Sequence, residues 1–133
     1  MQIIDTHTHL YLEAFDVDQN DVIKRAIDAG VSHFFIPAID SNYTERMYAL
    51  EKSYPNLVSL MAGLHPCYVK DNVEEELEKV FEQLNTRSFC AIGEIGIDLH
   101  WDKTYLNEQQ TAFSRQIEWA KEYEFPIVIH GRD

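Results

Sequence analysis

Basic residues are scarce in this chain, with 11 Lys and Arg against 23 Asp and Glu and a formal charge of −12. That balance excludes a broad cationic face of the kind that coats a phosphate backbone. It leaves room for a phosphate-bearing substrate at a metal site, where a cation supplies positive charge locally. Cysteine is nearly absent too. Cys67 and Cys90 lie far apart and in no C-x-x-C pair, which excludes a disulfide framework or a zinc ribbon and fits a reducing compartment. Glycine and proline are few and unclustered, so no low-complexity or disordered stretch is indicated. No apolar run approaches the roughly 20 residues that span a bilayer. Asp5, His7 and His9 break the apolar start before it could act as a signal-peptide core. The expectation is a cytoplasmic protein, not associated with membrane, forming one domain over residues 1–133.

What is present is a repeated alternation. "QIIDTHTHL" is a short apolar strand turning polar at its end, and "VDQNDVIKRAIDAG" places Val22, Ile23, Ala26 and Ile27 on one helical face before Gly30. "VSHFFIPAI" fits a buried strand. "SNYTERMYALEKSYP" is a helix with Ser41 as its expected N-cap. "NLVSLMAGLHP" is a third strand. "NVEEELEKVFEQLN" is a helix with Val73, Leu77, Val80 or Phe81, and Leu84 inward, and its acidic run at 74–78 reads as a solvated face. "FCAIGEIGID", a helix from Leu106, and "FPIVIHGRD" complete five strands and four helices. Apolar strands alternating with amphipathic helices predict an α/β fold with a parallel sheet.

Each strand ends in residues capable of chemistry, which suits the carboxyl-end site of a (β/α) barrel or a doubly wound sheet. No glycine-rich nucleotide loop occurs, so the TIM-barrel-type fold is favoured. It is incomplete in this chain, because a whole barrel takes eight units and about 250 residues.

His7 and His9 are two residues apart, so on a strand both imidazoles face one side and can share one ion. Alone, an H-x-H pair is as easily a polar strand end. Glu94 and His130, at the ends of strands four and five, would project into the same mouth, and three histidines with a carboxylate suit zinc, manganese or a similar ion. Glu94 sits in the apolar "AIGEIGID", where a buried carboxylate costs several kcal/mol unless paired or bound to a cation. No base follows until Lys103, and a carboxylate bridging two metals is the better reading. Gly93 and Gly96 would allow close backbone approach. His65, in "GLHPCY", is read as a substrate contact or a support to a ligand. Arg132 would clamp an anion or pair with a carboxylate of the mouth. His100 and Trp101 would form a substrate wall. His33, Cys67 and Cys90 are read as structural.

"DTHTHL", "GLHPCY", "AIGEIGIDLHWD" and "QTAFSRQIEWAKEYEFPIVIHGRD" follow in the order and spacing of the TatD family, which the whole chain resembles. That resemblance implies a metal-dependent deoxyribonuclease on a distorted TIM barrel. It implies His7 and His9 on one divalent ion (Mg, Mn or Zn), His130 on a second, and Glu94 bridging both as the catalytic carboxylate. A water activated between the ions would then cleave a phosphodiester bond of DNA or a related substrate. The family's remaining ligands, a His on strand six and an Asp on strand eight, would lie beyond Asp133. Thr8, Cys67 and His100 depart from the common Cys, His and aromatic of the family pattern. Two other functions stay open: an amidohydrolase-type enzyme on a small amide or ester, and an inactive, shortened assembly module that self-associates to complete the barrel.

Overall fold

The computed structural model describes residues 1–133. Five parallel strands, β1 (Ile3–Asp5), β2 (Val31–Ile36), β3 (Val58–Leu60), β4 (Ile92–Asp98) and β5 (Ile127–Arg132), alternate with α1 (Gln19–Asp28), α2 (Thr44–Ser53), α3 (Val73–Thr86) and α4 (Leu106–Glu122). The first three strands pair in chain order, as do β4 and β5. A parallel bridge between Ala62 and Ile92 joins the two groups into one wall. Strand order therefore never reverses, and this is the feature that separates a (β/α) barrel wall from a doubly wound sheet with its switch point. The wall also curls. Ala38, just past β2, donates to the Gly93 carbonyl at 2.9 Å and accepts from the Glu94 amide at 3.3 Å.

The helices cover the outside of the wall through the faces that their periodicity assigned. Met47 and Leu50 of α2, and Val73, Leu77, Val80 and Leu84 of α3, are buried against Ile36, Leu60 and Ile92. Each such side chain contributes about 1.5–3 kcal/mol relative to exposure. Phe81 and Ile27 are exposed. For Phe81 the alternative inward residue, Val80, takes the core position.

Three local expectations are corrected. His7 and His9 do not lie on a strand: β1 stops at Asp5, and both histidines follow in a bent segment. Asp5 closes that bend by accepting from the His7 amide. Ser41 does not cap a helix; it starts a 3-10 turn (Ser41–Tyr43) whose own cap is Asp40. Nor is the acidic run of α3 wholly solvated. Glu76 is 5% exposed and accepts from the Ser41 amide at 2.9 Å and the Ser41 hydroxyl at 2.6 Å.

Candidate metal centre

Side chains alternate along β4, so Glu94, Gly96 and Asp98 share the inner face. Gly96 pairs with His130 of β5, which sets the His130 ring between the two carboxylates. Gly96 has φ +148°, and a Cβ there would stand 1.8 Å from the His130 carbonyl oxygen. Only glycine permits this approach. A Cβ on Gly93 would likewise meet Val128 at 2.7 Å, so both glycines act as their spacing implied.

Glu94 is 6% exposed and its two oxygens face different partners. Oε2 lies 3.1 Å from His7 Nε2, 3.4 Å from His9 Nε2 and 3.7 Å from His65 Nε2. Oε1 lies 3.0 Å from His130 Nδ1. Burial alone would raise the Glu94 pKa, but hydrogen bonds from His9 and His130 and the nearby His65 and His7 rings bring it down to about 2. Asp98 behaves alike: burial raises it, while His130, Cys67 and the His100 amide outweigh that and hold it at about 2. Burial lowers His65 to about 4 against the pull of Glu94.

The bond made by the other nitrogen of each ring decides what that ring can offer. The Tyr11 hydroxyl spends its single proton on the Pro37 carbonyl at 2.7 Å. It must therefore accept at its 3.0 Å contact with His9 Nδ1, which places a proton on Nδ1 and leaves Nε2, toward Glu94, as the nitrogen open to a cation. His130 stands between two acceptors, Nε2 at 2.7 Å from Asp98 Oδ2 and Nδ1 at 3.0 Å from Glu94 Oε1, so Asp98 can hold the Nε2 proton when Nδ1 serves as a ligand. His65 is the reverse. Its Nδ1 accepts from the Cys67 amide at 3.1 Å, leaving the proton on Nε2.

Two groups of donors cluster within 4.8 Å: His7 with His9 and Glu94, and His65 with Cys67 and His130. The first fits a divalent ion. The second does not, because His65 presents a proton there and burial with the Asp98 carboxylate pushes the Cys67 thiol up to about 11. Buried glutamines of α4 steady the surroundings. Gln116 accepts from the Leu64 amide at 2.7 Å, and Gln109 accepts from the Asp98 amide at 2.8 Å while donating to its carbonyl at 2.9 Å.

His7, His9, His65, Glu94 and His130 are thus brought together from four parts of the chain. His100 and Arg132 are not; they stand at the rim. His100 is exposed and meets Trp101 edge-on at 4.6 Å, and the Arg132 guanidinium lies over the Trp101 ring at 5.6 Å rather than on a carboxylate. His33 bonds Ser59 Oγ at 2.8 Å, away from this cluster. Tyr11 and the two glutamines went unrecognised in the sequence, where each reads as an ordinary helix or loop residue. Asp98 stands at the end of β4, where its position in the sequence marks a strand-end carboxylate.

The family model of the TatD-related DNases matches residues 4–133. The chain belongs to the TatD-related DNase family. Within that family it is 36% identical over 131 residues to the uncharacterized metal-dependent hydrolase YabD of Bacillus subtilis, covering 98% of this chain and 51% of YabD. It is 30% identical over 131 residues to the 3'-5' ssDNA/RNA exonuclease TatD of Pectobacterium parmentieri, with 98% and 50% covered. The crystal structure of the TatD homolog YjjV from Escherichia coli superposes with a TM-score of 0.88 at 32% identity, over 98% of this chain and 51% of that one. A TatD family hydrolase of Entamoeba histolytica shares the fold, with a TM-score of 0.81 at 22% identity. The chain spans about half the length of the relatives it matches. No helix is long and apolar enough to cross a membrane.

Proposed function

We propose that this protein is a metal-dependent phosphodiesterase acting on DNA or a related nucleic acid, with His7, His9, Glu94 and His130 as ligands of two divalent ions. The observation that carries the proposal is the division of the Glu94 carboxylate, one oxygen toward His7 and His9 and the other toward His130. A carboxylate so placed can bridge two ions, and imidazole with carboxylate suits Mg, Mn or Zn in that order of increasing affinity for nitrogen. Bound ions would acidify a water near neutral pH and offset charge on the phosphoryl oxygens. The chain's own residues do the rest. Tyr11 and Asp98 would accept from the outer nitrogens of His9 and His130 and so turn the inner nitrogens toward the ions, and the depressed Glu94 pKa keeps the carboxylate ionised. Arg132, His100 and Trp101 at the rim supply a cation and flat surfaces for a strand entering from solvent. The relative from Pectobacterium, named an ssDNA/RNA exonuclease, supports nucleic acid over a small amide or ester. A cytoplasmic location accords with two free thiols.

A second reading concerns assembly. The outer side chains Ile127 and Ile129 of β5 are 37% and 58% exposed, on a strand paired along one edge only. We infer that β5 takes a further strand and helix, from additional polypeptide or from a second copy.

The protein is to be incubated with Mg, Mn or Zn and end-labelled single-stranded DNA, beside a panel of small esters and amides. The expected result is ion-dependent nucleotide release that EDTA abolishes and Glu94→Gln lacks. Hydrolysis confined to esters or amides, with no nucleotide released under any of these ions, would sink the nuclease reading.

A further inference from the structure

We propose that His65 is a fixed N–H donor to the phosphoryl oxygen of the substrate and not a ligand of either ion. The inference rests on the phosphodiesterase reading for the identity of the acceptor, and it goes beyond that reading by assigning a specific proton to a specific atom.

Three observations carry it. First, the ring is committed at one nitrogen: the Cys67 amide donates to Nδ1 at 3.1 Å in the 3-10 turn (Pro66–Tyr68) that His65 caps. A neutral imidazole that accepts at Nδ1 carries its proton at Nε2. Second, that proton is unspent. Nε2 is 3.7 Å from Glu94 Oε2, beyond hydrogen-bond range, and no closer acceptor engages it. It points at the carboxylate oxygen that His7 and His9 also face. An N–H there lies beside any oxygen that an ion on His7, His9 and Glu94 would hold. Third, the ring cannot readily turn over. The His65 amide donates to the Ile39 carbonyl at 2.8 Å, Leu64 is clamped by Gln116, and Pro66 follows. Tyr68 meets the ring edge-on at 5.9 Å and His130 lies 4.5 Å away on its other flank. Flipping would set the Cδ2–H against the Cys67 amide and strand that N–H, and moving the proton to Nδ1 would set two N–H groups against each other.

The arrangement is that of an oxyanion donor. A donor aimed before substrate arrives stabilises charge as it grows on the phosphoryl oxygen, without reorganising at that moment. His9 and His130, by contrast, have an acceptor behind the outer nitrogen, which leaves the inner one to serve as a ligand. The same residue type thus serves opposite roles in one pocket, separated by what sits behind each ring.

The test combines nitrogen-15 NMR of the histidine rings with ion and phosphate titrations on the folded protein. The expected spectrum has His65 protonated at Nε2, both without ions and with Mg2+ added. His65→Ala should leave Mg2+ and Mn2+ affinity within about twofold, whereas His9→Ala lowers it by more than the roughly 10–100-fold that loss of a supporting contact costs. In the ion-loaded protein, inorganic phosphate affinity should fall about tenfold in His65→Ala and recover in part in His65→Gln, which restores an N–H donor. If nucleotides are released, kcat should drop by about 10²-fold in His65→Ala with KM little changed. A proton found on Nδ1, or an ion affinity lost in His65→Ala with circular dichroism unaltered, overturns the proposal. An absence of nuclease activity with the Nε2 proton in place counts against the substrate reading alone.

Discussion

His9 Nδ1 lies 3.0 Å from the Tyr11 hydroxyl, and Tyr11, buried at 1% exposure, hands its own proton to the Pro37 carbonyl. Two residues apart in sequence, they form a relay whose direction is set by a backbone oxygen of the next strand unit. Proton counting puts a proton on His9 Nδ1 and leaves Nε2, toward Glu94, as the nitrogen that can take an ion.

Tyr11→Phe should therefore weaken divalent ion binding by about 10–100-fold, since the phenyl ring keeps the packing and loses only the acceptor. It also strands the Pro37 carbonyl, at a cost of about 1–3 kcal/mol of stability. Asp98→Ala should act in the same way on the ion held by His130. Isothermal titration with Mn2+ and urea denaturation read the two effects separately. Unchanged affinity in both variants would mean that ring orientation is held by packing alone.

Gly96→Ala should cost more than about 3 kcal/mol, because the new Cβ would overlap the His130 carbonyl and the residue sits at φ +148°. The same change should remove His130 from the pocket. Thermal unfolding and Mn2+ stoichiometry check it together, and a stable protein still binding two ions would contradict the geometry.

Without ions, stability should fall on acidification in two overlapping stages. His65 has a folded pKa of about 4, below its ordinary 6.5, so the unfolded chain binds the extra proton between those values and stability is lost as pH falls from 6.5 to 4. Glu94 and Asp98, held at about 2 from 4.5 and 3.8, add stability that is complete above their unfolded values and lost between about pH 4.5 and 2. His65→Gln should flatten the first stage and leave the second. Chemical denaturation at stepped pH measures both.

Glu76→Ala should destabilise by about 1–3 kcal/mol by stranding the Ser41 amide. It should leave ion binding intact, because Glu76 packs α3 on the turn after β2 and not on the pocket. Lost ion affinity with the fold preserved would show that this outer carboxylate couples to the centre.

Much of this was legible in the residues. Continuous apolar strands and helices of period 3.6 specify parallel β/α units, and "AIGEIGID" marks a carboxylate that an apolar strand would not tolerate without a partner. The proposed ligand set His7, His9, Glu94 and His130 was suggested by residue type, strand-end position and the family resemblance. His7 and His9 nevertheless converge through a bend after β1 and not through strand alternation. Local period says nothing about where a short loop carries its side chains.

Sequence by itself determined the family, the alternation of strands and helices and which side chains could bind a cation, because those depend on residue type and local spacing. Tertiary structure alone decided which nitrogen of each ring faces Glu94 and what stands behind the other. That choice lies with Pro37, Asp98 and the Cys67 amide, groups brought behind the rings by the curl of the wall and the 3-10 turn. No spacing along the chain encodes a hydrogen bond made across it, and that bond is what divides the histidines into proposed ligands and a proposed proton donor.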